Sequence, residues 1–121
     1  MTSLKLRILF DGAMMGPGKA ELLAHIRETG SIAAAGRRMA MSYRRAWMLV
    51  DEMNAAFAAP RVSRARGGPG GGGAHLTEAG EEVLRLYHDV VQRAEAAAAA
   101  PMGALERMLR PVGSGEISGG R

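Results

Sequence analysis

Two serines, Ser31 and Ser42, each stand immediately before a stretch of helical apolar spacing, and little more than Ala40 and Met41 is left between the stretches to turn the chain. Serine caps a helix at such a position because its hydroxyl oxygen accepts from a backbone N–H that the first turn leaves unpaired. The first stretch carries Ile32, Ala35 and Met39 on one side. The second carries Ala46, Val50, Met53 and Phe57, at the i, i+4, i+7 and i+11 spacing of one buried face. Helices joined by so short a turn must cross steeply, and the small residues Ala34, Ala35 and Gly36 let their backbones approach. The pattern predicts a helix-turn-helix unit whose second helix keeps Arg44, Met48 and Asp51 on its outer side.

The flanking segments complete a small domain. Leu4, Leu6, Ile8 and Phe10 alternate with Lys5, Arg7 and Leu9, the period of a half-buried strand, and Gly12, Gly16, Pro17 and Gly18 break it into a loop. Lys19 to about Thr29 reads as a helix with Leu22, Leu23 and Ile26 on its apolar face and Gly30 as its C-terminal cap. Pro60 is expected to end the helix that begins at Ser42. Beyond it, Arg61–Arg66 and Ala74–Leu76 read as two strands of a hairpin around the glycine-rich run 67–73, a wing with a long tip. Thr77 caps a final long helix, about 77–100, in which Val83, Leu84, Tyr87, Val90, Val91 and Ala94 form an apolar stripe that calls for a partner. The fold class is therefore mainly α with a small β-hairpin wing. One domain spans 1–100, and 101–121 is a short extension, with a helical turn at Met102–Leu109 and disorder expected from Gly113 to Arg121.

Charge is divided along the chain. Sixteen Lys and Arg against twelve Asp and Glu give a net +4. Arg37, Arg38, Arg44, Arg45, Arg61, Arg64 and Arg66 are opposed within their span only by Asp51 and Glu52, whereas Glu78, Glu81, Glu82, Asp89, Glu95 and Glu106 dominate the last helix and the extension after it. A basic cluster on two adjacent elements of a helix-turn-helix points to nucleic-acid phosphate more than to a merely solubilising surface. The absence of cysteine excludes thiol chemistry and disulfides, and no apolar run approaches the roughly 20 residues that span a bilayer. A cytoplasmic protein without a membrane partner is expected.

Other motifs carry little chemistry. Gly12–Lys19 does not have the spacing of a phosphate-binding loop, and Ala20 offers no hydroxyl for magnesium. His25, His75 and His88 lack metal-ligand spacing, and the methionines sit mostly at apolar helical positions. No nucleophile and base combine, so neither an enzyme nor a metal or other cofactor is expected. Trp47 flanks the buried stripe and belongs with the core.

Gly30-Ser31-Ile32, the run Ser42-Tyr43-Arg44-Arg45-Ala46-Trp47 leading to Asp51-Glu52-Met53-Asn54, the run 67–74, and Leu76-Thr77 with Gly80 together resemble the N-terminal DNA-binding domain of molybdate-responsive ModE-type regulators, which is itself similar to the DNA-binding half of LysR-type regulators. The resemblance covers most of residues 4–100. It implies a winged helix-turn-helix, a dimerising long helix, and binding to near-palindromic double-stranded DNA. Two departures stand out. Full-length members carry C-terminal molybdate-binding modules, which are expected to be absent here, and Ala40 occupies a turn position where glycine is common, suggesting a different turn geometry.

On such a domain the second helix of the motif enters the major groove with its first turns nearest the base edges. Ser42, Tyr43, Arg44, Arg45 and Met48 are thus the candidate base readers, and an arginine holding guanine O6 and N7 discriminates by roughly 1 to 3 kcal/mol. Ser31, Arg37, Arg38, Arg61, Arg64, Arg66, Gly70, Gly71 and His75 are the candidates for phosphate and wing contacts. Val83, Leu84, Tyr87, Val90, Val91 and Ala94 are assigned to a homodimer contact. The resulting expectation is a homodimeric, sequence-specific regulator connected with molybdenum or another oxyanion, with no effector identified. The competing reading is a dimeric protein-interaction module, which a basic reading helix disfavours because the cores of protein interfaces are depleted of charge.

Overall fold

The computed structural model describes residues 2–58, 62–64 and 73–111. The chain runs β1 (Ile8–Phe10), β2 (Ala13–Met15), α1 (Pro17–Thr29), α2 (Ile32–Arg38), α3 (Tyr43–Ala56), β3 (Val62–Arg64), β4 (Ala74–Leu76), α4 (Glu78–Ala97) and α5 (Ala99–Arg107). Two antiparallel hairpins, β1–β2 and β3–β4, flank the helices. The expected class, mainly α with a small β wing, is the observed one.

α1 is the central strut. Leu22, Leu23 and Ile26 are fully buried, and the helix packs on α2, α3, α4 and β4. Around them close Ile32 and Ala35 from α2, Ala46, Val50 and Met53 from α3, Val62, Ala74 and Leu76 from the wing, and Leu84 and Tyr87 from α4. Each large aliphatic side chain buried here contributes about 1.5–3 kcal/mol from its removal from water. α1 begins two residues earlier than its apolar pattern suggests because Pro17 takes the first helical position, where its missing N–H costs nothing. Gly30 ends it in the left-handed region, φ 71°, with its N–H donating to the Ile26 carbonyl at 2.8 Å.

The N-terminal segment departs from expectation. The period-two burial of Leu4, Leu6 and Ile8 holds, but Phe10 is half exposed, and the glycine-rich loop foreseen after it is in part a second strand. Phe10 pairs with Ala13 across a two-residue connection, Asp11 and Gly12, with Gly12 at φ 86°. Asp-Gly is a favoured hairpin connection because such loops need a positive φ that glycine adopts without a Cβ clash. Residues 4–6 are tied to α4. The Tyr87 hydroxyl donates to the Leu6 carbonyl at 2.6 Å, and the Leu4 N–H donates to Glu95 Oε2 at 3.3 Å.

Two helix ends also differ. α3 stops at Ala56, four residues before Pro60, and Phe57 turns extended and half-buried instead of completing the inner face. The cause lies in the wing, since Asn54 bonds to Val62 and the chain must leave the helix in time to reach it. At the other end, the boundary expected at residue 100 falls inside α5. Pro101 lies in the first turn of that helix, where no intrahelical donor is needed, so it does not interrupt it. The tail from Gly113 to Arg121, expected to be disordered, lies outside the described residues.

Candidate nucleic-acid interface

The helix-turn-helix is assembled by caps and by one strained residue. Ser31 Oγ accepts from the Ala34 N–H at 3.0 Å, and Ser42 Oγ accepts from the Arg45 N–H at 3.1 Å, so both helices start where the serines predict. Between them α2 ends in a Schellman turn: the Met41 N–H donates to the Gly36 carbonyl at 3.0 Å and the Ala40 N–H to that of Arg37 at 3.1 Å. Such a turn requires its penultimate residue in the left-handed region, and Ala40 is there, at φ 55°. The alanine therefore does not change the turn geometry, as its substitution for glycine suggested; it adopts the glycine conformation with a Cβ present. Gly36 sets the closeness of α2 and α3, because a Cβ built on it would lie 3.1 Å from that of Ala46.

The capped start of α3 projects the candidate base readers together. Ser42, Tyr43, Arg44, Arg45 and Met48 are all exposed, while Ala46, Val50 and Met53 on the opposite side are buried. Tyr43 stands edge-on to Trp47, with ring centres 6.1 Å apart, and Trp47 packs against the core as expected. The tyrosine thus keeps its hydroxyl at the surface on a braced ring. An exposed, two-turn surface of serine, tyrosine, two arginines and a methionine offers hydrogen-bond donors, a stacking ring and an apolar contact, which are the chemistries that read base edges.

Of the phosphate candidates, Arg37 and Arg38 are exposed at the end of α2, and Arg38 Nη1 is engaged by Glu28 Oε1 at 2.6 Å. Ser31 is half-buried, its oxygen spent on the cap. His75 is exposed on β4, opposite Ser63. Arg61, Arg66, Gly70 and Gly71 lie outside the described residues, and for Arg64 only the backbone, paired with Ala74, is described.

Beside the burial of Val62, Ala74 and Leu76 in the core, hydrogen bonds that the sequence does not signal join the wing to the rest. The Ala74 N–H donates to the Gly30 carbonyl at 2.9 Å, joining β4 to the α1–α2 corner. On the other strand the Asn54 amide makes a two-point contact, accepting from the Val62 N–H at 3.1 Å and donating to the Val62 carbonyl at 3.3 Å. Asn54 falls in the family-like run Asp51–Asn54, but nothing in its spacing betrays that it reaches the wing. Lys19 is a second residue to which the sequence assigns no role. It is buried, its Nζ donating to the Met14 carbonyl at 3.2 Å and pairing with Glu52 at 3.3 Å, which links the β1–β2 hairpin to α3.

α4 is capped by Thr77, whose Oγ1 accepts from the Gly80 N–H at 3.0 Å. Its apolar arc is divided. Leu84 and Tyr87, assigned to a dimer contact, are instead buried in the protomer's own core, with Val83 and Val91 packed beside them. Val90 is exposed at 42%, and so is Leu86, at 46%, which the stripe had omitted. At about 100° per residue Leu86 falls one helical turn before Val90 on the same side, so the i, i+4 pair was visible but hidden by the stronger Val83–Tyr87–Val90 spacing. The polar side carries ion pairs: Arg27 with Glu81 at 3.1 Å, Arg85 with Glu82 at 2.6 Å and Arg93 with Asp89 at 3.1 Å. The hydrogen bond from Arg85 holds the exposed Glu82 carboxyl below its ordinary value. Among the described residues no helix is long and apolar enough to cross a membrane, and no group of three or more His, Cys, Asp or Glu is placed to hold a metal ion.

A capped helix pair with a steep turn, a β-hairpin pinned beside the second helix and a long helix after it define a winged helix-turn-helix domain. The solved structure of the CbnR DNA-binding domain in complex with DNA has this fold, with a TM-score of 0.56 at 18% identity, covering 73% of this chain and 95% of that one. In sequence the chain is a homologue of the ModE and MopB proteins. It is 45% identical over 98 residues to the molybdenum-pterin-binding protein MopB of Rhodobacter capsulatus, covering 81% of this chain and 35% of that protein. It is 44% identical over 71 residues to the transcriptional regulator ModE of Yersinia pestis, covering 59% of this chain and 27% of that protein. The chain thus spans about a third of the length of the curated relatives it matches. No family model matches.

Proposed function

We propose that this chain is a sequence-specific double-stranded DNA-binding module of a transcriptional regulator, acting as a homodimer. The observation that carries the reading is the outer face of α3, where Ser42, Tyr43, Arg44, Arg45 and Met48 are exposed side by side on a helix whose other face is locked into the core. An α-helix fits the major groove, and the wing lies beside it for the flanking backbone. The exposed part of the α4 arc, Leu86 and Val90 with Ala94 between core and surface, supports the second copy. A two-fold dimer that reads two half-sites one turn of DNA apart needs its two copies of α3 about 34–36 Å apart. The names of the relatives, a molybdenum-pterin-binding protein and a ModE regulator, support a connection with molybdenum.

Fluorescence anisotropy of labelled duplexes over a salt series tests the DNA reading. Neutralising several phosphates releases counterions, so log affinity is expected to fall with log salt at a slope of about 0.9 per phosphate contact. A flat salt response together with capture of a purified protein partner would replace this reading by the interaction-module one. Sedimentation of the free protein tests the dimer, and molybdate added to either assay tests direct sensing. An unchanged operator affinity and melting temperature would exclude it for this chain.

A further inference from the structure

Asn54 is half-buried on α3, next to Met53, which is 1% exposed and pins that turn of the helix to the core. A primary amide presents one acceptor and one donor side by side, the same pair that a backbone peptide presents to a neighbouring strand. Val62 meets this amide with both of its backbone groups, N–H to Oδ1 at 3.1 Å and C=O to Nδ2 at 3.3 Å. β3 is only three residues long and has β4 along one edge, so the amide substitutes for a strand at its other edge. A two-point contact fixes the rotation of the strand as well as its distance. It also sits where β3 begins, eight positions after Asn54 itself. The buried Val62 side chain and, through β4, Ala74 and Leu76 with the Ala74–Gly30 bond hold the wing near the core, and the Asn54 amide adds a direct polar tie from α3 to β3.

We propose that Asn54 is the positioning residue of the wing: its amide, docked on Val62, sets the wing at the angle to the reading helix at which both meet one duplex together. The proposal rests on the DNA-binding reading above. The base readers near the start of α3 then keep one register to the β3–β4 wing, and that register is held by Asn54.

The test compares wild-type full chain with Asn54→Ala, which removes both bonds, and Asn54→Asp, which keeps the acceptor and sets a carboxylate oxygen against the Val62 carbonyl. Amide exchange of Val62 and of Ala74–Leu76 is measured by NMR, with thermal melts as the check on folding. Affinity is measured for two duplexes, one limited to the bases under α3 and one extended by half a turn at each end. Asn54→Ala should expose the Val62 amide, and in both variants the helices of the core should stay protected. Both variants should bind the short duplex within about twofold of wild type and lose the gain that wild type shows on the extended one, with a salt slope shallower by ~1 to 2. A Val62 amide still protected in Asn54→Ala, or an equal loss on both duplexes, overturns the proposal. If wild type binds neither duplex, it is the DNA reading that fails, and the exchange result still decides whether Asn54 sets the wing.

Discussion

Replacing Ala40 by glycine should make the protein more stable, although it removes a methyl group and adds a flexible residue. Ala40 holds φ 55° in the Schellman turn that closes α2, and it is exposed, so its Cβ contributes no buried contact. An L-residue in the left-handed region carries about 1–2 kcal/mol of strain, which glycine does not. Against that, glycine widens the unfolded ensemble and costs about 0.4–1 kcal/mol. The difference leaves a net stabilisation between roughly 0 and 1.6 kcal/mol, centred at about 0.8 kcal/mol. At that central value the melting temperature of a domain of this size should rise by about 2–6 °C. Urea denaturation monitored by circular dichroism, at one fixed protein concentration because a dimer unfolds concentration-dependently, gives the number directly. The midpoint should rise with an unchanged slope, and Ala40→Val should lower it, since a β-branched side chain tolerates this region less well than alanine. A glycine variant clearly less stable than wild type, with the same slope, would refute the assignment of strain to this residue.

The packing dictates three further outcomes. Gly36→Val should destabilise by about 1–3 kcal/mol, because even its Cβ would crowd that of Ala46 at 3.1 Å; an unchanged urea midpoint would contradict the close approach of α2 and α3. Burial raises the Tyr87 hydroxyl above its ordinary pKa, so the folded form holds the proton more tightly than the unfolded chain. Its contribution is whole below pH ~10 and is lost as pH rises through the folded value, so Tyr87→Phe should cost about 1 kcal/mol at neutral pH through the lost bond to Leu6 and flatten the alkaline loss of stability expected of wild type. Leu86→Glu with Val90→Glu should leave the monomer folded, both residues being substantially exposed, and shift sedimentation from dimer to monomer; an unshifted dimer would place the contact elsewhere.

What could be read from the sequence was local. Ser31, Ser42 and Thr77 each cap the helix they were expected to cap, and Gly30 ends α1, because capping depends on a side chain and its own next three residues. The buried faces of α1 and α3 were legible from periodicity for the same reason. Asp11–Gly12 was also a local signal, but the broken strand pattern around it, with Phe10 exposed, concealed the hairpin. Ala40 was legible as a position and not as a conformation, since alanine has no preference for the left-handed region and is placed there by the turn around it. The contacts that assemble the site were hidden because they join residues whose spacing carries no period: Asn54 to Val62, Ala74 to Gly30, Lys19 to Glu52. The split of α4 into a core side and an exposed side depended on how far α1 covers it, which only the packed structure decides.

Selection of bound DNA from a pool of random duplexes, run in parallel with wild type and with Arg44→Ala, Arg45→Ala, tests most directly whether α3 reads sequence. Enrichment of a near-palindrome by wild type, lost in the double variant while salt-sensitive binding to any duplex persists, is the predicted result. Uniform recovery of all sequences by wild type, or the same palindrome enriched by the variant, would contradict it.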